Sequence, residues 1–200
     1  MIGRLVRRLR YGPPIVIVSG LPRSGTSMMM TMLAAGGVPL VADGVRGADP
    51  SNPKGYFEYE PVKDLDKRDA DLAWLPGARG KAVKIISFLL TWLPEDFTYD
   101  VILMQRDLDE VLASQAEMLS RRGEAPGEVE SARATFQGHL AQLDRFLASR
   151  PCFRTLRVSY RDAVASPAAT AERVTAFLGR RLDTAAMAAA VDPALYRNRA

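Results

Sequence analysis

The sequence predicts an α/β domain of three layers, a central and mostly parallel β-sheet flanked by helices, and three features carry that prediction. Residues 15–18 are consecutive β-branched apolar residues, the pattern of a strand covered on both faces of a parallel sheet. Further apolar runs at 81–86, 99–105 and 153–158 are separated by stretches with helical periodicity. The first run breaks into a glycine-bounded loop that leads straight into a helix, in the order Val16-Ile-Val-Ser-Gly-Leu-Pro-Arg-Ser-Gly-Thr-Ser-Met28. Two hundred residues suffice for one such domain with a buried core, so a single domain over 1–200 is expected, with a basic N-terminal segment at 1–12.

The basic segment sets Ile2, Leu5, Val6 and Leu9 at helical spacing, with Arg4, Arg7, Arg8 and Arg10 between them. That is a short amphipathic helix, suited either to weak contact of residues 1–10 with an anionic membrane surface or to packing on the domain. The apolar run behind the arginines is about four residues, below the 7–15 of a secretory signal core. No stretch approaches the ~20 apolar residues of a transmembrane helix. A cytoplasmic location is therefore expected.

Gly20 and Gly25 flank four residues, so the backbone between them can curl into a concave set of N–H groups at a helix N-terminus, where the helix dipole favours an anion. The spacing is that of a P-loop. A nucleotide-hydrolysing P-loop ends Gly-Lys-Ser/Thr and places that hydroxyl on Mg²⁺. Here Gly25 is followed by Thr26 and Ser27, and the cation, Arg23, lies inside the loop. Residues 26–35 are nearly all apolar and free of Gly and Pro, which predicts a buried helix stopped by Gly36 and Gly37. Its methionines read as core filling.

Residues 39–61 hold turn residues throughout, among them Asp43-Gly44, Asp49-Pro50, Asn52-Pro53 and Lys54-Gly55, followed by Tyr56-Phe-Glu-Tyr-Glu60. A loop of this length with aromatic and acidic residues interleaved predicts a pocket wall, with Asp43, Glu58 and Glu60 as candidate bases. The same carboxylates also suit turn capping. The charge-rich stretch 61–75 predicts a solvated helix. A second strand at 81–86 is followed by an apolar turn to Pro94. A third at 99–105 ends in Arg106, at the carboxyl end where ligands gather in open parallel sheets. Asp107, Asp109 and Glu110 open a helix reaching about Arg121, as the dipole prefers. After a break at 121–127, a long helix at 128–148 carries Phe136, Leu140, Leu143 and Leu147 on one face, and a strand follows at 153–158. A turn or short helix at 160–164, a helix from Pro167 to Leu178 capped by Gly179, and an alanine-rich end complete the chain.

The net charge of +4 and pI near 9.4 suit an anionic ligand. The arginines are dispersed along the chain, so no nucleic acid partner is indicated. A single cysteine, Cys152, excludes an internal disulfide and offers no metal-ligand spacing; it reads as a buried thiol beside a strand. The one histidine, His139, falls in a helix and reads as a packing residue, so neither a zinc site nor a Ser-His-Asp arrangement is easily built and no metal is expected. Arg106 and Ser114 are eight residues apart, at a strand end and two turns into the next helix, which brings an Arg fork and a hydroxyl close enough to clamp a terminal phosphate. An Arg at that position also serves commonly as a salt-bridge partner.

Together these segments resemble the sulfotransferases that use 3′-phosphoadenosine 5′-phosphosulfate (PAPS). Pro22-Arg23-Ser24-Gly25-Thr26-Ser27 is similar to that family's 5′-phosphosulfate loop. An apolar strand, Arg106 and then Ser114 are similar to its 3′-phosphate motif, and Tyr160-Arg-Asp-Ala-Val with Phe177-Leu-Gly179 resembles its Tyr-Glu-Asp-Leu segment and Phe-Leu-Gly helix end. The resemblance implies a P-loop NTPase-like sulfotransferase fold that binds PAPS without metal through Pro22, Arg23, Ser24, Gly25, Thr26, Ser27, Arg106, Ser114 and Tyr160. It implies transfer of a sulfuryl group to a hydroxyl or amine of a small-molecule, glycan or peptide acceptor. Arg23 and the loop amides would stabilise the leaving 5′-phosphate, and Lys84 would contact the sulfuryl group.

The chain also departs from that pattern. The family's cytosolic branch has Lys-Thr-His on its second strand, with the His as base; here Lys84 is kept and Ile86 stands in the place of the His. The loop is more similar to the branch that includes tyrosylprotein sulfotransferases, whose carboxylate base falls near Asp43, so the base is Asp43 or a glutamate of the 56–60 segment, Glu58 included. Met28 stands where an aromatic residue often stacks on adenine, and only Arg197 or Arg199 is left to replace the family's basic C-terminal loop. At this length the acceptor lid is small or is supplied by a second subunit of a homodimer. Two other readings fit the same residues. One is a P-loop nucleoside kinase or NTPase in which Arg23 replaces the missing Lys and Asp107 serves as a Walker-type acid. The other is a non-catalytic nucleotide-binding protein of the same fold.

Overall fold

Alternate side chains of the first strand leave it in opposite directions, and both directions are apolar. In β1 (Ile15–Gly20), Val16 and Val18 enter one hydrophobic cluster while Ile15 and Ile17 enter another on the opposite face. A strand of this kind needs cover on both sides, which is why the chain builds three layers. The computed structural model describes residues 6, 10–45, 47, 49, 52, 55–121, 123–124 and 128–196.

Around β1 lie β2 (Leu40–Val41), β3 (Ala82–Lys84), β4 (Tyr99–Gln105) and β5 (Phe153–Ser159), forming one five-stranded sheet in the order β2-β3-β1-β4-β5. Every pairing is parallel. The first face is covered by α1 (Thr26–Ala35) and by α5 (Tyr160–Ala165), α6 (Pro167–Leu178) and α7 (Thr184–Ala189), which supply Met29, Met30, Met32, Ala163, Val174 and Met187. The second is covered by α2 (Leu75–Ala78), the 3₁₀ turns Glu60–Asp64 and Ser87–Trp92, and α4 (Val129–Ser149), through Val62, Leu75, Leu90, Leu143 and Leu147. Helix α3 (Leu108–Arg121) packs Val111 and Leu112 against Leu21 and Phe136. From β1 the chain runs out to β2 and β3 on one side and then crosses to β4 and β5 on the other. The carboxyl ends of β1, β3, β4 and β5 therefore open onto a common crevice beside the central strand.

The expected strands and helices are present with four exceptions. The stretch 61–75 is not one helix: its charged residues form turns, Lys67 pairs with Asp64 at 2.7 Å, Asp71 caps the amide of Ala73, and before Leu75, where α2 begins, only Val62 and Leu65 are buried in the core. Two apolar anchors close together give a short 3₁₀ turn, too little to bury one side of a four-turn helix. The second predicted strand shrinks from 81–86 to Ala82–Lys84, because the chain turns at Ile86 into a 3₁₀ segment. Leu40–Val41 forms an edge strand inside what reads as loop, and the alanine-rich end contains α7, capped by Asp183. Cys152 is a buried thiol beside β5, and His139 stacks on Phe88 at 3.7 Å with its Nε2 2.8 Å from Ser87 Oγ. Burial lowers the pKa of that imidazole, as befits a packing role. Of the basic segment 1–10, only Val6 and Arg10 are among the described residues. Among the described residues no helix is long and apolar enough to cross a membrane.

Candidate functional site

Among the described residues two non-glycines adopt left-handed backbone, Phe57 in the long loop at φ 51° and Arg23 in the loop after β1. Arg23 adopts φ 69°, a left-handed conformation that costs a non-glycine residue ~1–2 kcal/mol, and it faces the crevice. Gly25 follows at φ 95° and lies so close to Tyr160 that an added Cβ would stand 2.3 Å from the ring. No other residue fits there. These two left-handed residues curl the chain into the start of α1, whose first-turn N–H groups have no partner within the helix and lie at its positive end.

A pocket of ≈ 600 Å³ opens at this loop and brings most of the predicted residues together. Pro22, Arg23, Gly25, Thr26 and Ser27 line it from the loop after β1 and the start of α1, Lys84 from the end of β3, Arg106 from just after β4, Ser114 from α3, Tyr160 from the start of α5 and Glu58 from the long loop. Its volume is that of a small-molecule site. Arg23 Nε donates to Ser114 Oγ at 3.0 Å, and Arg106 Nη1 donates to the Arg23 carbonyl at 3.1 Å, so the loop and the β4–α3 corner are physically joined. Burial lowers the pKa of Arg23, and the nearby Arg106 charge adds to that; even so an arginine stays cationic at neutral pH.

Arg106 is held from three sides. Its Nε donates to Glu110 Oε2 at 2.8 Å, and its guanidinium lies over the rings of Tyr160 at 4.6 Å and Tyr196 at 5.4 Å. Glu110, with a side chain only 2% exposed, also accepts from Arg161 at 3.2 Å and from the Tyr196 hydroxyl. Burial raises the pKa of Tyr160, which remains a neutral phenol packed under Gly25. Glu110, Arg161 and Tyr196 are the supports of the site that sequence reasoning passed over. Glu110 looked like an ordinary first-turn acid, and nothing in the sequence announces that its carboxylate turns inward.

At the other side of the pocket, Lys84 Nζ donates to the Tyr56 carbonyl, lies 5.6 Å from the Tyr56 ring centroid and sits 3.8 Å from Glu58 Oε1. Glu58 is also 3.3 Å from Lys63. Four candidate residues are placed elsewhere. Ser24 is 1% exposed, with its hydroxyl packed beneath Gly20 and not on the pocket wall. Asp43 is not on the pocket wall either: its carboxylate accepts from the amides of Val45 at 3.0 Å and Glu60 at 2.6 Å, bonds that lower its pKa. It holds the loop that presents Glu58. Asp107, the Walker-type acid of the kinase reading, accepts from the amides of Asp109 and Glu110 at the start of α3 and also stays off this wall. Glu60 pairs with Lys63 on the surface. Arg197 and Arg199 lie outside the described residues. Among the described residues no three His, Cys, Asp or Glu side chains gather as a metal-binding group.

The chain is similar to the sulfotransferase domain from the curacin biosynthetic pathway, with 16% identity, TM-score 0.53, and coverage of 93% of this chain and 87% of that one. It is likewise similar to the sulfotransferase domain of the Synechococcus PCC 7002 olefin synthase, with 19% identity, TM-score 0.53, and coverage of 92% and 86%. The fold is sulfotransferase-like. A sulfotransferase from Alicyclobacillus acidocaldarius matches at 16% identity and TM-score 0.50 over 86% of this chain and 84% of that one. No family model and no curated protein matches the sequence. Within a sulfotransferase-like fold, the glycine-bounded loop, the β3 lysine and the β4 arginine all fall at carboxyl strand ends, the edge where open parallel sheets bind ligands.

Proposed function

We propose that the protein transfers a sulfuryl group from PAPS to a hydroxyl or amine acceptor. The observation that carries this reading is the meeting of two cationic anion clamps, Arg23 with the α1 N-terminus and Arg106 beside Ser114, in one pocket with a Lys84–Glu58 pair. The 5′ and 3′ positions of one ribose are only a few bonds apart, so clamps for both phosphates must be neighbours. The Arg23–Ser114 and Arg106–Arg23 hydrogen bonds make these two clamps adjacent.

In this reading the α1 amides, Thr26, Ser27 and Arg23 hold the 5′-phosphosulfate, while Arg106 and Ser114 hold the 3′-phosphate. The bound nucleotide supplies an activated sulfuryl group whose bond to the 5′-phosphate oxygen breaks as the acceptor oxygen or nitrogen bonds to sulfur. A sulfuryl group carries less charge than a γ-phosphoryl group, and fixed amides with one arginine can stabilise the leaving phosphate. Lys84, pinned by the Tyr56 carbonyl, is aimed at the same space. Glu58 accepts the acceptor's proton, because it alone among Asp43, Glu58 and Glu60 lines the pocket.

Glu58→Gln is expected to lower turnover by about 10²–10⁴-fold while the dissociation constant for 3′-phosphoadenosine 5′-phosphate (PAP) moves less than about threefold. Turnover is measured as PAP release from PAPS with a panel of phenol, alcohol and amine acceptors. Asp43→Asn, off the pocket wall, is expected to keep turnover within a few-fold of wild type. Unchanged turnover in Glu58→Gln would remove Glu58 as the base.

A further inference from the structure

Across the mouth of the pocket, three side chains of the long loop form a connected set. Tyr56 donates its hydroxyl to both oxygens of Asp49, at 2.8 and 2.7 Å, and Asp49 Oδ1 accepts from the backbone amide of Asn52 at 2.9 Å. Asn52 then reaches over the loop after β1. Its Nδ2 lies 2.6 Å from the carbonyl oxygen of Gly55 and 2.8 Å from the hydroxyl oxygen of Ser27. A backbone carbonyl can only accept, so the atom facing it must be the amide nitrogen, and the orientation of the Asn52 side chain is settled by chemistry. The same nitrogen has no lone pair to offer, so Ser27 Oγ is the acceptor of the second bond. One lone pair of the Ser27 hydroxyl is therefore occupied by Asn52, and its proton is left to turn away from Asn52. Both residues line the pocket.

We propose that Asn52 is a positioning residue that fixes the Ser27 hydroxyl as a hydrogen-bond donor toward a phosphate held at the start of α1. The inference rests on the proposed function only in taking that loop as the phosphate site. A serine hydroxyl ordinarily rotates among three staggered positions and presents a donor or an acceptor to its surroundings. Toward an anion, only the donor orientation is attractive. By filling one lone pair, Asn52 closes the position facing it to the Ser27 proton before ligand arrives and so favours the donor orientation, and the Asp49–Tyr56 bonds hold Asn52 in place while the Tyr56 carbonyl takes Lys84. The long loop thus adjusts both ends of the transfer site: a hydroxyl donor through Asn52 and a lysine through Tyr56.

The test is a double-mutant cycle read by calorimetry, with wild type, Ser27→Ala, Asn52→Ala and the double variant titrated with PAP and separately with adenosine 5′-monophosphate. Ser27→Ala should raise the dissociation constant about tenfold in wild type and about twofold or less in the Asn52→Ala background, because an unaligned hydroxyl contributes little. Ser114→Ala, on α3, should combine additively with Asn52→Ala; coupling of Asn52 to both serines would mean general collapse of the loop and would overturn the proposal. Equal Ser27→Ala factors in both backgrounds would also overturn it, and would leave the sulfotransferase reading untouched. Coupling with the monophosphate alongside no preference for the 3′-phosphate would count against sulfuryl transfer and leave the role of Asn52 standing. Absence of binding by either nucleotide would overturn the assignment of the loop as a phosphate site, and the Asn52 inference with it.

Discussion

Arg106→Ala should raise the dissociation constant for PAP by about a hundredfold and that for adenosine 5′-phosphosulfate by less than about threefold. Both ligands carry adenosine with a 5′-phosphate; PAP adds the 3′-phosphate and adenosine 5′-phosphosulfate adds a 5′-sulfuryl group instead, so a loss confined to PAP marks the 3′ contact assigned to Arg106. The substitution also removes a partner from Glu110, whose side chain is 2% exposed. Removing one member of a buried ion pair costs about 3–5 kcal/mol, and here Arg161 and Tyr196 remain as partners of Glu110, which moves the expectation to the lower end of that range. Glu110→Gln serves as the comparison. It should lower the melting temperature while keeping the cation, and so retain the preference for the 3′-phosphate. Equal losses for both ligands in Arg106→Ala would mean that Arg106 only supports the corner between β4 and α3.

Arg23→Gly should separate stability from catalysis in the opposite sense. Arg23 occupies φ 69°, where glycine pays no steric cost, so the variant gains back ~1–2 kcal/mol of strain and loses one hydrogen bond to Ser114 worth ~1–2 kcal/mol. Its melting temperature should stay close to that of wild type. Turnover should fall by about 10²–10³-fold, the loss typical when one preorganised donor to a developing charge is deleted. A strained, half-buried cation retained inside a binding loop is expected where function requires it, and a variant that melts lower yet turns over normally would show that Arg23 serves the fold instead.

The parts of this fold that were legible in the sequence are those where one physical demand dominates. A strand buried on both faces must be apolar at every position, which marks residues 15–18. A phosphate-type loop needs glycine where the backbone turns left-handed, which marks Gly25, and a helix ending in a left-handed residue marks Gly179. The misplaced parts depend on distant partners. Leu40–Val41 is a strand only because β3 passes beside it, and two residues carry no periodicity of their own. The stretch 61–75 reads as a helix because dense charge suits turns and exposed helices equally, and what distinguishes them is burial of Val62 and Leu65 at one end and Leu75 at the other with none of the charged residues between buried. The choice among the loop carboxylates was closed to sequence reasoning for the same reason. Asp43, Glu58 and Glu60 have the same chemistry; what separates them is that Asp43 caps two backbone amides, Glu60 pairs with Lys63 outside, and Glu58 faces Lys84. Asn52 read as a turn residue beside Pro53, and its bond to Ser27 spans 25 positions.

Calorimetric titration of the wild-type protein with PAP, in buffer with and without Mg²⁺, tests the central claim most directly. Two adjacent cationic clamps predict micromolar or tighter binding, unaltered by chelation of the metal and at least about tenfold tighter than binding of adenosine 5′-monophosphate. Binding of ATP that requires Mg²⁺, with no gain from a 3′-phosphate, would contradict it.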